Sequence, residues 1–523
     1  MGRRRMLDAV RRVDATHLLI DNPQQIPVTL FASSEIPIEP EAIEELLAFV
    51  SLQETLDTLA EQERAGRIAP FWGDGGAEAG RLARLVVTPD FHRGSGIPIG
   101  TVADARGFVI PKAVGTDICC GMRLLVTDLT RQEVEPRLHL LAAPLRARFF
   151  AGQRDIPLSP RQRESLLRDG LRGLLATRSD NAGSGIWRQY DPRAQEADLA
   201  RVHFGGSLPA QGTFTFADYI RGSGSLAGRD SHLGSVGGGN HFVEIQVVEE
   251  VLDGAVAREW GLRQGAIAIM AHSGSVGLGH AVGGHFADRA RAIFPREIRR
   301  PAHGFDVLPV AGPHRRVAAE YLDAMRNAAN FAFGNRLMLG LMAAGALSEV
   351  AGRRVETHLV YDAPHNLIWE PSADSPGYLH RKGACPALGP EPATESPFRY
   401  SGHPVIIPGS MGSASYVMAG TGSEEALASA CHGAGRALTR TKARQMDDDT
   451  YTRTVAPLRV VTPIDPNAAT VRGRRDILEQ HHSRLKEEAP SAYKAIAPVI
   501  ETIERAGIAR PVARLWPLLT IKG

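Results

Sequence analysis

GAIAIMAHSGSVGLGH, residues 265–280, holds the pattern that decides how this chain is built. Its first part, GAIAIMAHS (265–273), is a short apolar run that reads as a buried strand. Its second part is a glycine-rich loop, and His272 sits at the change from one to the other. The runs RLARLVV (81–87) and HPVIIPGS (403–410) read the same way, as buried strands that end in glycine-rich or polar loops. Helical periodicity occupies residues 41–66, 318–350 and 424–445. These elements follow no regular βαβ rhythm, no repeat is visible, and no Pro/Gly/Ser-rich linker divides the 523 residues. The expectation is an α+β fold around one large sheet system. The 54 glycines imply many loops that approach something closely.

Composition narrows the function classes. Apolar residues at 43% and charged residues at 23% are values for a globular chain with a large core. A net charge of +2 makes any anion-binding surface local rather than global. The basic start MGRRRMLDAVRRVD lacks the apolar stretch of a signal peptide, and no run of about 18 apolar residues suggests a membrane helix. Four cysteines in the whole chain point to a reducing compartment, so a cytoplasmic location is expected.

Two of those four thiols are adjacent, in GTDICCGMR (115–123), where Asp117 precedes Cys119 and Cys120. A disulfide between neighbours is strained, which leaves a buried structural pair or a metal site. Histidines beside Gly- or Asn-rich turns recur elsewhere: His92 in PDFHRGSGIPIG, His241 in GSVGGGNHFVEIQ, His272, His365 in YDAPHNLIW, and His432 in SACHGAGRALTR. Imidazoles are common transition-metal ligands, and strand-end loops are where ligands from distant segments converge. Asp117, Cys120, His241, His272 and His365 would make a mixed oxygen, sulfur and nitrogen donor set, with one thiolate able to serve two ions.

Two further motifs suit phosphate. PGSMGSAS (408–415) offers backbone N–H groups without side-chain obstruction, although no GK[ST] follows to make it a P-loop. HGAGR (432–436) places a histidine before two glycines and an arginine inside a helical pattern. Its residues leave two readings open, a nucleophile that forms a phosphoramidate or a capping histidine in a glycine-rich bend.

PDFHRGSGIPIG, GTDICCGMR, GGGNHFVEIQ, HSGSVGLGH, HNLIW, HRKGA, IPGSMGSASYV, HGAGR and the closing IKG together resemble the RtcB family of RNA-splicing ligases, in the family's order. The resemblance implies a single large α+β catalytic unit over residues 25–523 with a deep metal-containing cleft, preceded by a basic extension, residues 1–24. It implies a GTP-dependent enzyme that joins an RNA 3′-phosphate or 2′,3′-cyclic phosphate to a 5′-hydroxyl end. Two manganese ions would be held by Asp117, Cys120 and His241 and by Cys120, His272 and His365, with the Cys120 thiolate shared. His432 would carry GMP. Nucleotide contacts would come from Asn240, His241, Phe242, Val243, Glu244, His365, Asn366, Pro408, Gly409, Ser410, Met411, Ser415, Gly433, Ala434, Gly435 and Lys522. The implied partners are RNA and an archease-like activator, with no membrane.

The chain departs from the family where HSGSRGLG becomes HSGSVGLG, at Val276, and where HRKGATRA becomes HRKGACPA, at Pro386. Each change removes a cation expected near RNA, which Arg93, Arg381, Lys382, Arg436, Arg440 or Lys442 would have to replace. The segment 67–84 is also longer than expected. Two other readings therefore stand beside the ligase: an RNA 3′-end guanylyltransferase with weak joining, and an RNA-binding member with a structural metal site. The intact His432 speaks against the second.

Overall fold

In the computed structural model, which describes residues 7–73, 80–221, 232–372, 375–455 and 458–523, the decisive stretch forms the strand Ala266–Ser273, buried along its whole length. In place of the expected glycine-rich loop, the first turn of the helix Val276–Ile293 follows. The strand lies inside an eight-stranded sheet whose successive neighbours are Thr357–Pro364, Gly121–Thr130, Ala266–Ser273, Phe242–Val251, Ala509–Ile521, Ser415–Gly420 and Pro404–Ile407. A short strand, Arg459–Val461, adds in parallel to Ala509–Ile521. A second sheet has seven strands, in the order Val10–Arg12, His17–Ile20, Val28–Phe31, Arg81–His92, Ile99–Arg106, Tyr378–Lys382 and Asn366–Trp369. The fold is α+β, with two large sheets where the sequence suggested one sheet system. Within the segment 67–84, residues 74–79 lie outside the described residues.

The helical patterns fare unequally. Residues 318–350 sit within one helix, Arg315–Ala351, whose side chains are buried on nearly every face. It passes the length and composition test for a membrane-crossing helix, yet 94% of its apolar window is inside the protein. It packs against the helices Leu138–Phe149, Pro160–Ala176 and Val276–Ile293 and against the Ala266–Ser273 strand. The pattern at 41–66 splits into Pro40–Val50 and Leu52–Arg64. Ser51 lies at the joint, with its hydroxyl turned back to the Ala48 carbonyl at 2.8 Å, a bond that competes with helix continuation.

The pattern at 424–445 is mostly not helical. Ser429–Cys431 is a strand paired with Ala384–Pro386, and only Arg440–Arg444 is helix. Leu427 and Ala428 have φ of 49° and 44°, which ends any helix before the strand begins. Apolar spacing here serves burial against a strand, and tertiary pairing overrides the helical period.

Sheet register places the site. Gly121 pairs with both Pro364 and Ser273, and Phe242 pairs with His272. Antiparallel pairing therefore brings the start of one strand, the end of the next and the start of the third to one edge of the sheet. Cys120, His272, His241 and His365 sit at that edge, in sequence positions next to or at those strand ends.

Candidate functional site

The four ends converge on one sulfur. Cys120 Sγ lies 3.2 Å from His241 Nε2 and 3.3 Å from His272 Nε2. His272 Nε2 lies 3.3 Å from His365 Nε2, and Asp117 Oδ2 lies 3.0 Å from His241 Nε2. Two donor groups result, Asp117, Cys120 and His241, and Cys120, His272 and His365, each with its ligand atoms within 4.8 Å of one another. Gly274 makes room for this, since a Cβ there would come within 2.4 Å of the Asp117 carboxylate.

The electrostatics of the cluster call for a cation. His241 Nδ1 lies 3.0 Å from the Val236 carbonyl, a contact that turns Nε2 toward Cys120 and Asp117. Burial and the neighbouring imidazoles push His272 and His365 well below the usual histidine range, so both rings are neutral ligands. Burial pushes Asp117 up, but the His241 contact and the Val276 N–H, at 2.8 Å from Oδ1, bring it below the usual carboxylate range. Asp117 Oδ2 is buried without a hydrogen-bond donor. Burial and the Asp117 charge raise the Cys120 thiol well above its ordinary value, a state that a bound divalent cation reverses. A half-buried carboxylate, a thiol and three imidazoles fit a metal pair, with the soft sulfur shared.

His432 sits beside this cluster, at the end of the Ser429–Cys431 strand. Its ring centre is 4.6 Å from that of His365 and 6.5 Å from that of His272. Asp90 Oδ2 stands 2.8 Å from His432 Nδ1, a close contact whose hydrogen lies off the line to the oxygen. Gly435, at φ 76°, lets the HGAGR loop press onto Asp90, whose carbonyl would lie 2.1 Å from a Cβ there. The cleft lined by His432 and the five donor residues has a volume of about 1230 Å³. Its walls include Asn240, Phe242, Glu244, Asn366, Pro408–Met411, Gly433–Gly435 and Lys522. Burial lifts the Glu244 carboxyl to about 7, against hydrogen bonds from Thr520 Oγ1 and Gln246 Nε2, each 2.6 Å. Lys522 Nζ donates to the Gly239 carbonyl at 2.7 Å.

Two expected nucleotide contacts lie off the cleft wall. Strand side chains alternate, so Phe242 and Glu244 face the cleft while Val243 packs into the main core. Ser415 stands behind the PGSMG loop, its Oγ 3.0 Å from Gln246 Nε2 and 3.2 Å from the Gly409 nitrogen, and so supports the loop. Among the cations expected near RNA, Arg93, Lys382, Arg436, Arg440 and Lys442 line the cleft. Arg381 does not; its guanidinium stacks on Trp369 at 4.1 Å and bonds Ser429 and Leu427.

A family profile described as tRNA-splicing ligase RtcB matches residues 79–523. The chain belongs to the RtcB family. A curated tRNA-splicing ligase RtcB from Thermococcus kodakarensis is 34% identical over 456 residues, covering 84% of this chain and 87% of that protein. An RNA-splicing ligase RtcB from Mycobacterium tuberculosis is 35% identical over 453 residues, 83% of this chain and 96% of its own length. A Pyrobaculum aerophilum tRNA-splicing ligase RtcB is 33% identical over 464 residues, 84% and 87%.

In this RtcB-family chain the sequence reading left out Asp90, the side chain behind His432. It also left out Tyr493 and Glu488, which close the cleft near Lys522 and are joined by a short hydrogen bond. Asp90 lay in view within PDFH, and its carboxylate two residues before a histidine was the available signal. Tyr493 and Glu488 sit in a stretch with no motif, and only the fold brings them in.

Proposed function

We propose that this chain is a GTP-dependent RNA ligase that joins RNA 3′-phosphate or 2′,3′-cyclic phosphate ends to 5′-hydroxyl ends. The observation that supports it most is His432, backed by a buried carboxylate and set between the metal-type donor cluster and two glycine-rich loops in one cleft. Two manganese ions held by Asp117, Cys120, His241, His272 and His365 would supply charge neutralisation for phosphate groups.

The residues then divide the work. Asp90 favours the proton on His432 Nδ1, which leaves Nε2 as the attacking lone pair. Attack at the α-phosphorus of GTP forms an N–P bond as the bond to the β-phosphate oxygen breaks, and pyrophosphate leaves. The backbone N–H groups of the Pro408–Met411 and Gly433–Gly435 loops hold phosphate oxygens, and Glu244 with Lys522 holds the base end. The RNA 3′-phosphate next displaces His432 from GMP, and the 5′-hydroxyl finally displaces GMP from the RNA 3′ end. Each displacement is in line at phosphorus, where positioning and charge supply most of the rate. Four free, buried thiols suit work in a reducing compartment.

Incubation with α-labelled GTP and manganese tests the reading. The label is expected on His432 as an acid-labile, alkali-stable adduct, absent in a folded His432→Ala chain. Label on a lysine rejects the histidine mechanism.

A further inference from the structure

His92 ends the Arg81–His92 strand and takes no part in the nucleotide transfer set out above. Its Nδ1 lies 2.9 Å from the Asp90 carbonyl, so Nδ1 carries a proton and donates it. The other ring nitrogen, Nε2, then holds a bare lone pair, and no hydrogen bond to it is found among the described residues. The ring lines the same cleft as His432 and the Arg93–Gly96 loop. That loop is pinned from behind by Glu45, which accepts from the Gly94 nitrogen at 2.7 Å and the Gly96 nitrogen at 3.4 Å. Burial holds the His92 imidazole at about 4, so it stays neutral at physiological pH.

One residue therefore anchors two imidazoles. The Asp90 carboxylate faces His432, and the Asp90 main-chain carbonyl faces His92. The nearby Arg93, Lys382 and Arg440 carry donors, which suit phosphate oxygens. A neutral Nε2 lone pair offers a phosphate nothing, since an ionised phosphate has no proton to give. It suits a hydroxyl, and RNA ends bring two, the ribose 2′-OH and the 5′-OH.

We propose that His92 Nε2 accepts a hydrogen bond from a hydroxyl of the RNA being joined, which makes His92 a specificity residue for RNA ends. The assignment rests on the ligase reading above. A site built to pair a substrate hydroxyl loses much of its rate when that pair is broken.

The test uses the full chain with manganese, GTP and RNA fragments bearing 3′-phosphate and 5′-hydroxyl ends. It compares His432 labelling with strand joining in the wild type, His92→Asn and His92→Gln. Asn keeps a donor near the Asp90 carbonyl and removes the acceptor, whereas Gln reaches the Nε2 position with an amide oxygen. Joining by His92→Asn is expected to fall at least tenfold more than labelling, and His92→Gln to recover a third or more of wild-type joining. Equal falls in labelling and joining, joining by His92→Asn at the wild-type rate, or a Gln variant no better than Asn would overturn the proposal. If His92→Asn does not fold, His92→Gln decides alone: joining within threefold of wild type supports the acceptor role, and a loss beyond tenfold overturns it. A 2′-deoxy nucleotide at the 3′-phosphate end separates the two hydroxyls. A cost seen in the wild type but not in His92→Asn assigns the 2′-OH, and an equal cost in both assigns the 5′-OH. A wild type that neither labels nor joins overturns the ligase reading instead, a result distinct from any His92 outcome.

Discussion

Two buried polar clusters meet at the Cys119–Cys120 peptide, and they differ in where their positive charge comes from. On the Cys119 side, Arg336 Nε bonds Asp362 Oδ1 at 2.9 Å and Arg123 Nη1 bonds Asp362 Oδ2 at 3.1 Å. Arg336 Nη1 also donates to the carbonyls of Cys119, at 2.7 Å, and Ser273, at 3.0 Å. Two guanidiniums on one carboxylate leave this cluster cationic by its own residues. On the Cys120 side a carboxylate, a thiol and three imidazoles face one another with no side-chain cation among them. The backbone supports the division, because Cys119 adopts φ 58°, a left-handed conformation uncommon outside glycine. Burial of polar groups is thus no mark of a site by itself. What separates the structural cluster from the functional one is the count of donors against acceptors.

The comparison can be broken most severely at the two thiols. Cys120→Ala removes the ligand common to both donor groups, so metal binding by calorimetric titration and all ligase turnover are expected to be lost. Cys119→Ala should bind metal normally and cost only about 1 kcal/mol of stability. Equal loss of metal from both variants would dissolve the contrast.

The next effect lies on the other side. Arg336→Met leaves Asp362 with Arg123 alone and strands the Cys119 and Ser273 carbonyls in a dry interior, and urea unfolding should show a loss of about 3–5 kcal/mol. A loss below about 1 kcal/mol would mean that the cluster is not held by that charge.

A third measurement sharpens the comparison through protons. The Cys120 thiol is raised well above its ordinary value and so is protonated before metal binds, whereas a metal-bound sulfur is a thiolate. Binding therefore releases a proton, and metal affinity should rise about tenfold per pH unit between about pH 6 and 8. His272 and His365 are already neutral there and add no release. Cys119→Ala should keep the same slope.

The smallest expected effect concerns Val276, whose N–H supports Asp117 while its side chain replaces the family's arginine. Val276 has φ 43°, a costly conformation for a β-branched residue. Val276→Arg keeps the N–H, so metal affinity should stay within about threefold. Joining should rise relative to RNA capping, and its log–log salt dependence should steepen by about 0.7 for one regained phosphate contact on a single strand. An unchanged slope in a well-folded variant would place the RNA path elsewhere.

The contrast also shows what could be read without the fold. Strands that end in a histidine and glycines were legible at 265–273, because burial on both faces produces an unbroken apolar run. The same logic placed residues 318–350 in helix, within the observed Arg315–Ala351. It failed at 424–445, where apolar spacing serves a two-stranded pairing with Ala384–Pro386 that sequence spacing does not encode. Within the site, the metal-type donors and His432 stood beside glycine, whose conformational freedom marks close approach. Asp90 and Tyr493 were harder to find, since their roles come from contacts between segments about 340 and 60 residues away from His432 in the chain. Val243, an expected nucleotide contact, turns its side chain into the core, because a motif names consecutive residues while a strand exposes alternate ones.

The Arg315–Ala351 helix has one more consequence, during synthesis. As it leaves the ribosome, a long apolar segment of this kind resembles cargo for membrane insertion, although the helices and strands it mainly packs against precede it in the chain. Arg336 lies near its midpoint, where an arginine costs about 2.5–3.5 kcal/mol in a lipid interior. The guanidinium that pairs with Asp362 in the finished protein therefore also raises the cost of placing this helix in a lipid interior.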